Sequence, residues 1–247
     1  MGQEFWVYVG IGFLAQIVDG TLGMAFGIIV SSSLLAFGAT AAFASAAVHL
    51  AEIATTGASA LSHVWHGNVN RPLLIRLAAA GVLGGVLGAY VLVDVFPKEL
   101  VRPFVTAYLL GMAVLIFQRM LRRKAPAARM PPAPLGFAGG FLDAIGGGGW
   151  GPLVASTLLA RGDEPRRSVG TANAAEFFVA VSVSATFLAT IDFSELWRDV
   201  LAIILGGLAA APFAGWLVRI MPPRLALILV GSVVLCLSLY NFVRLEI

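Results

Sequence analysis

Charged residues are scarce in this chain: 12% of its 247 residues are Asp, Glu, Lys or Arg, whereas 59% are hydrophobic. An ordinary soluble domain carries about 25% charged residues. A soluble core built by a chain of this length could not hide so much apolar surface from water. The composition therefore predicts that lipid is the solvent and that the protein is integral to a membrane.

The chain is also poor in cysteine and lacks common catalytic motifs. Cys236 is the only cysteine, which excludes an intramolecular disulfide. The chain contains no HExxH, GxSxG or Walker sequence, which argues against a zinc protease, a serine hydrolase and ATP use by this chain. The net charge of +3 is small and the basic residues cluster in loops, so the inner leaflet of a membrane is the expected partner rather than nucleic acid. We expect neither an enzyme nor a cofactor.

What the chain has instead is a series of eight apolar stretches, most of them near the length of about 20 residues that crosses a bilayer as a helix. They cover residues 5–37, 41–64, 72–95, 100–121, 134–160, 168–191, 197–218 and 224–244. The first and fifth are too long for one simple crossing, and both contain glycine clusters. The predicted fold class is an all-α membrane protein in which these two segments are broken, either as re-entrant hairpins or as two short helices.

A basic and proline-rich sequence, RMLRRKAPAARMPPAP, separates the fourth stretch from the fifth. This composition is typical of a linker. We therefore divide the chain into a first transmembrane repeat (1–118), a cytoplasmic linker (119–134) and a second transmembrane repeat (135–247).

The two halves resemble each other. GFLAQIVDGTLGMAFG (12–27) aligns without gaps to GFAGGFLDAIGGGGWG (136–151) at a shift of 124 residues. Of the thirteen acidic residues, only four lie inside apolar segments and away from the segment ends, and they form two pairs at the same shift: Asp19 with Asp143, and Glu52 with Glu176. Because acidic matches are rare in such a chain, we interpret the similarity as an internal repeat.

The distribution of Lys and Arg favours an inverted arrangement of the halves. These residues concentrate in cytoplasmic loops. If the linker is cytoplasmic, the inverted arrangement places 12 of the 16 basic residues inside, whereas a parallel arrangement places 9 inside. The inverted arrangement also puts both chain termini outside.

Glycine-broken segments at matching places in two inverted halves are typical of the substrate site of a transporter. A helix end at such a break offers unpaired N–H groups to an anion. Scattered glycines such as Gly84 and Gly206 are interpreted as helix-packing positions instead. The predicted substrate-binding residues are Gln16, Asp19, Gly20, Gly23, Gly27, Asp143, Gly146, Gly147, Gly148, Gly149, Trp150 and Asn173.

Ionisable residues at membrane depth are costly and are functional candidates. His49 and Glu52 share one helix face, as do their counterparts Asn173 and Glu176. Since burial and like-charged neighbours favour protonated carboxyl groups, we predict that Glu52 or Glu176, with His49, couples protons to transport. Capping of the helix after the break is an alternative role for Asp19 and Asp143.

The glycine-rich openings of both halves, followed by the polar turn SHVWHGNVN (62–70), resemble the sulfite exporter TauE/SafE family of membrane transporters over about residues 8–243. The resemblance implies export of sulfite, organosulfonates or related small anions across the inner membrane of a bacterium, without ATP. The expected partners are thus a small anion, protons and the lipid bilayer. A homodimer is compatible with the sequence.

Two alternatives stay open. The interior acids, together with His49, are also suitable ligands for a transported cation or divalent metal ion. An intramembrane enzyme is disfavoured because the catalytic motifs are absent. The leading prediction is a proton-coupled secondary transporter that exports sulfur-containing anions.

Overall fold

The structure is a computed structural model that describes residues 3–22, 24–121, 130–160, 164–192, 197–217 and 223–244. These residues form ten α-helices and no strand, which confirms the predicted all-α class. The helices are α1 (Gln3–Leu22), α2 (Phe26–Ala36), α3 (Ala41–Trp65), α4 (Arg71–Tyr90), α5 (Lys98–Leu121), α6 (Pro132–Gly146), α7 (Ser156–Ala160), α8 (Pro165–Thr190), α9 (Trp197–Leu217) and α10 (Pro223–Val243).

The eight apolar stretches give ten helices because the first and the fifth are each divided in two. The first stretch becomes α1 and α2, and the fifth becomes α6 and α7. Two π-helical turns adjoin these regular helices: Val91–Val95 extends α4, and Gly151–Ala155 precedes α7. The bounds of the unbroken stretches agree with the predicted ones to within a few residues.

Several helices suit a bilayer. Arg71–Val95, Glu99–Gln118 and Arg166–Thr190 are long and apolar enough to cross a membrane by length and composition, and Phe26–Ala36 and Gly231–Val243 are shorter apolar helices. Large hydrophobic side chains are also exposed on the outer surface, including Leu61 and Trp65, which are 69% and 85% exposed. An exposed apolar surface of this kind is favourable in lipid and unfavourable in water.

Side-chain caps start two of the long helices. Thr40 Oγ1 accepts the N–H of Phe43 at 3.2 Å, and Asn70 Oδ1 accepts the N–H of Leu73 at 3.2 Å. Each cap satisfies one of the N–H groups that have no partner inside the helix. The two caps fix where α3 and α4 begin.

Five helix pairs make the most extensive contacts: α1 with α9, α4 with α6, α3 with α8, α4 with α8, and α5 with α10. Glycines allow two of these pairs to approach closely. A Cβ added to Gly12 or Gly206 would collide with backbone of the partner helix, at Ile203 and Val9 respectively. In the second pair, Gly84 and Gly140 face backbone in the same way. These glycines therefore lie at close helix contacts, the role in which the scattered glycines are interpreted from the sequence.

Candidate functional site

Both breaks contain unusual backbone angles. In the second half, α6 ends at Gly146, Gly147 adopts a left-handed conformation with φ 63°, and Gly148 has φ 142°. In the first half, Ala25 lies before α2 with φ 135°. Such angles are unfavourable for residues that carry a Cβ. Glycine therefore suits the second turn, and Ala25 makes the first turn strained.

The two aspartates cap the helical segments that follow the breaks. Asp143 Oδ1 accepts the N–H groups of Gly149 and Trp150 at 2.6 and 3.0 Å. Asp19 Oδ1 accepts the N–H of Phe26 at 3.2 Å. In each half the acceptor is seven residues before the aromatic donor. The capping role considered for both aspartates is thus present in the geometry.

The glycine turn of the second half is held by hydroxyl groups of the first half. Ser31 Oγ donates to the carbonyl oxygen of Gly147 at 2.5 Å, and Ser45 Oγ donates to that of Ala144 at 2.5 Å. Tyr108 Oη donates to the carbonyl oxygen of Gly148 at 3.1 Å. These bonds satisfy carbonyl groups left free where the helix ends, a requirement that lipid cannot meet.

The sequence patterns do not distinguish these three hydroxyl residues from others in the chain. Serine and tyrosine in apolar segments are common, and neither Ser31, Ser45 nor Tyr108 lies in the repeated motif. The run of three serines at 31–33 inside an apolar helix is the one signal that the sequence offered.

The two turns approach each other closely. A Cβ added to Gly27 would lie 2.7 Å from Gly148 Cα and 3.1 Å from Glu52 Oε1. A Cβ on Gly148 would collide with the backbone of Gly27 and Ile28. The space between the breaks is therefore available only because both positions lack a side chain.

A small acidic cavity lies between the breaks, and we call it the central cavity. Its free volume is about 10 Å³, comparable with the space that one water molecule needs. All four interior acids line it, and ten of its twelve lining residues form five pairs at the shift of 124. The pairs are Asp19/Asp143, Ala25/Gly149, Gly27/Gly151, Ile28/Pro152 and Glu52/Glu176.

His49 extends the acidic cluster. Its Nδ1 lies 2.7 Å from the carbonyl oxygen of Ser45, which can only accept, so Nδ1 carries the hydrogen. Its Nε2 lies 3.3 Å from Asp143 Oδ2, and both residues are fully buried. One ligand atom each of His49, Glu52 and Asp143 lie within 4.8 Å of one another. Glu52 Oε2 has no hydrogen-bond partner among the described residues.

Several predicted site residues lie outside the lining of the central cavity. Trp150 is fully buried and its Nε1 donates to the carbonyl oxygen of Ala172 at 3.0 Å, so it packs in the core. Asn173 donates to Ser59 Oγ at 2.9 Å and links α8 to α3. Gln16 is buried, with Oε1 unpartnered among the described residues.

Some of the predicted glycines line the central cavity and others lie outside its lining. Gly27, Gly148 and Gly149 line the cavity. Gly146 packs against the ring of Tyr108, and Gly147 packs against Ser31. Among the remaining predictions, Gly20 belongs to α1, and Gly23 lies outside the described residues.

Comparison with known proteins identifies the family of this chain. The profile of the sulfite exporter TauE/SafE family matches residues 8–241. A protein of Bacillus subtilis (strain 168), described as probable membrane transporter protein YtnM, is 41% identical over 246 residues, which cover 96% of this chain and 82% of that protein. No solved structure gives a significant match. The chain therefore belongs to the sulfite exporter TauE/SafE family, a family of membrane transporters rather than enzymes.

Proposed function

We propose that the protein is a secondary transporter that exports small sulfur-containing anions, such as sulfite or organosulfonates, in exchange for protons. The observation that carries the proposal is the central cavity, in which four acids from two matched segments surround a narrow space. Interior carboxylates at such a position are typical of proton relays in transporters. The family supplies the expectation that the transported solute is a sulfur oxyanion.

The geometry around His49 supports a proton step. Because Nδ1 donates to Ser45, Nε2 is the atom that gains or loses a proton, and it faces Asp143 Oδ2 at 3.3 Å. Glu52 is close enough to exchange that proton through a small rearrangement or one water molecule. We assign proton coupling to His49, Glu52 and Glu176, whereas Asp19 and Asp143 hold the helix starts. Protons that enter from outside neutralise the acids, which removes the repulsion that an anion would otherwise meet.

We further propose that the halves are inverted repeats separated by the cytoplasmic linker, with both termini outside. Two contacts support this orientation. The N–H of Asn70, in the turn after α3, donates to Thr171 Oγ1 near the start of α8 at 2.9 Å. Asn241, near the end of α10, donates to the carbonyl oxygen of Ser32 at 3.1 Å. Parallel halves would put the two members of each pair near opposite faces of the membrane.

Efflux from proteoliposomes tests the proposed function. Vesicles loaded with sulfite, a sulfonate or sulfate are diluted into buffers of decreasing pH, and the released anion is measured. We expect sulfite or sulfonate efflux that rises when the outside is acidified. In Glu52→Gln and Glu176→Gln the rise is lost, because an amide cannot bind and release the proton.

The matched control is Glu99→Gln, the same substitution at an exposed residue in the first turn of α5. This variant keeps the pH dependence of the wild type. If Glu52→Gln and Glu176→Gln both retain full pH-dependent export, these residues do not carry the proton.

A divalent cation is the second candidate substrate, and one observation favours it. His49, Glu52 and Asp143 offer an imidazole and two carboxylates within 4.8 Å, a donor set that suits zinc or manganese. The N–H of His49 that points at Ser45 also resembles the outer bond that orients metal-bound histidines. Calorimetry of the purified protein with Zn²⁺ and Mn²⁺ separates the two proposals. Binding that His49→Ala abolishes favours cation transport, and its absence favours the anion.

A further inference from the structure

A second group of buried polar side chains lies where α2, α5 and α10 meet. Arg102 Nη2 donates to the carbonyl oxygen of Leu35 at 3.3 Å, and Asn241 Nδ2 donates to that of Ser32 at 3.1 Å. Leu35 and Ser32 are one turn apart near the end of α2, so the guanidinium and the amide reach adjacent turns of one helix. We call the residues of this group the outer polar cluster. It consists of Ser32, Arg102, Thr106, Ser238 and Asn241.

Each member of the outer polar cluster has a buried polar atom without a partner among the described residues: Ser32 Oγ, Arg102 Nε, Thr106 Oγ1, Ser238 Oγ and Asn241 Oδ1. Four of the five residues are completely buried, and only Arg102 is partly exposed. Thr106 follows Arg102 by one turn of α5, and Ser238 precedes Asn241 by one turn of α10. Since an unsatisfied buried polar atom is costly, five such atoms on three contacting helices indicate a polar ligand.

The charge of Arg102 indicates the sign of that ligand. Among the lysine and arginine side chains whose exposure is described, Arg102 is the one that is not exposed. No carboxylate lies within ion-pair distance of it in the described part of the chain. Capping of the last turn of α2 explains the bond from Nη2. It does not explain the free Nε or the hydroxyl groups of Thr106 and Ser238.

We propose that the outer polar cluster is the binding site for the transported oxyanion. The guanidinium presents N–H donors in a fixed planar fork that matches oxyanions, and the hydroxyl groups donate to the remaining oxygens. The cluster adjoins the central cavity, because Ile28 of α2 lines that cavity and Ser32 follows by one turn, about 6 Å further along the helix. The proposal rests on the proposed function, and it assigns the anion and the proton to neighbouring sites.

Separate sites for the anion and the proton avoid the electrostatic repulsion that an anion would meet in the central cavity. Four carboxylates repel an anion unless they are protonated, whereas Arg102 attracts one at any physiological pH. An anion at the outer polar cluster in turn favours proton uptake by the acids of the neighbouring central cavity. The two sites are therefore expected to bind anion and proton together.

Equilibrium binding of sulfite to purified protein, measured by calorimetry, tests the proposal. The test variants are Arg102→Gln and Thr106→Val, and the control is Arg76→Gln at an exposed position of α4. We expect Thr106→Val to weaken binding about tenfold, the effect of losing a hydrogen bond to a charged group. Arg102→Gln weakens binding further. Because valine has the shape of threonine and leaves the α2 cap intact, Thr106→Val remains informative even if Arg102→Gln unfolds.

A phospholipid head group offers the same oxyanion chemistry, so the titration is repeated with phosphatidylglycerol added. We expect sulfite affinity to be unchanged, since four of the five residues of the cluster are completely buried. Loss of sulfite binding on adding this lipid would overturn the proposal, as would unchanged sulfite affinity in both variants.

Two further variants distinguish a failure of the proposed anion site from a failure of the proposed function. Glu52→Gln and Glu176→Gln keep sulfite binding and lose pH-dependent efflux if both proposals hold. If Arg102→Gln and Thr106→Val bind and export sulfite normally while the glutamate variants lose pH dependence, the proposed function stands and the anion site lies elsewhere. Absence of sulfite and sulfonate binding in the wild type overturns the proposed function itself.

Discussion

At the scale of single residues, Asp19 and Asp143 combine two tasks. Each uses one carboxylate oxygen to accept N–H groups at the start of the next helix, and each also lines the central cavity. A capping carboxylate is fixed in position, so its charge remains at a defined point beside Glu52 and Glu176. This is the physical reason to assign the moving proton to the glutamates and to His49.

Asp143→Ala tests the capping task. The substitution removes the acceptor of two N–H bonds at a buried helix start, and we expect a loss of about 1–2 kcal/mol of stability. Thermal unfolding in detergent measures it. Asp94→Ala, at an exposed aspartate, serves as the control and should leave the melting temperature nearly unchanged. Equal melting temperatures for both variants would contradict the capping role.

Ala25→Gly tests the strain in the first break. Alanine at φ 135° is strained, whereas glycine adopts this angle freely, so the variant should be more stable by about 1 kcal/mol. The reverse substitution, Gly38→Ala at φ 93° with open space around it, should be destabilising. Both are measured as shifts of the melting temperature. A lower melting temperature for Ala25→Gly would contradict the strained turn.

The sequence located the acids of the central cavity because charge is rare in this chain and the four acids match in pairs. Trp150 is a predicted site residue because it follows the glycine run, and Asn173 because it is the counterpart of His49; in the structure their side chains donate to Ala172 and Ser59. A repeat identifies equivalent backbone positions and not the direction of each side chain. The outer polar cluster could not be predicted, because its members come from three helices and only Ser32, which aligns with Ser156, has a polar counterpart at the shift of 124.

At the scale of helices, hydrophobic length predicted most elements closely: 72–95 corresponds to α4 with its π-helical turn, and 41–64 corresponds to α3. The glycine run predicted the break after α6. The exact start of α2 could not be predicted, because an alanine at position 25 carries no signal for a positive φ. Packing of the second half against Gly27 determines that turn, and such contacts are not visible in local sequence.

Helix packing gives a prediction at this scale. In Gly140→Ala the new Cβ would collide with the backbone of Gly81, so α4 and α6 must separate, and we expect a loss of about 1–3 kcal/mol. Gly111→Ala, in α5 with nothing within 4 Å, should be neutral or more stable because alanine favours helices. Melting temperatures of the two variants in the same detergent provide the comparison. Similar values would contradict the close packing of α4 on α6.

At the scale of the whole molecule, the cavity implies motion. Its free volume of about 10 Å³ is comparable with the space for one water molecule, and a sulfite ion is larger than water. Passage of an anion therefore requires the lining helices to separate, and the glycine turns at Gly27 and Gly148 are one place where the two halves are in close contact. Hydropathy alone predicts the number of apolar segments, but it does not reveal how the two halves close on each other.

The central claim is that the two halves face opposite ways around one acidic cavity. Single cysteines in a Cys236→Ser background test it most directly, through labelling of intact cells with a membrane-impermeant thiol reagent. Phe37→Cys and Arg244→Cys should be labelled from outside, and His66→Cys and Glu164→Cys only after the membrane is opened. Labelling of Glu164→Cys from outside, with His66→Cys protected, would show that both halves have the same orientation in the membrane. That result would contradict the inverted arrangement.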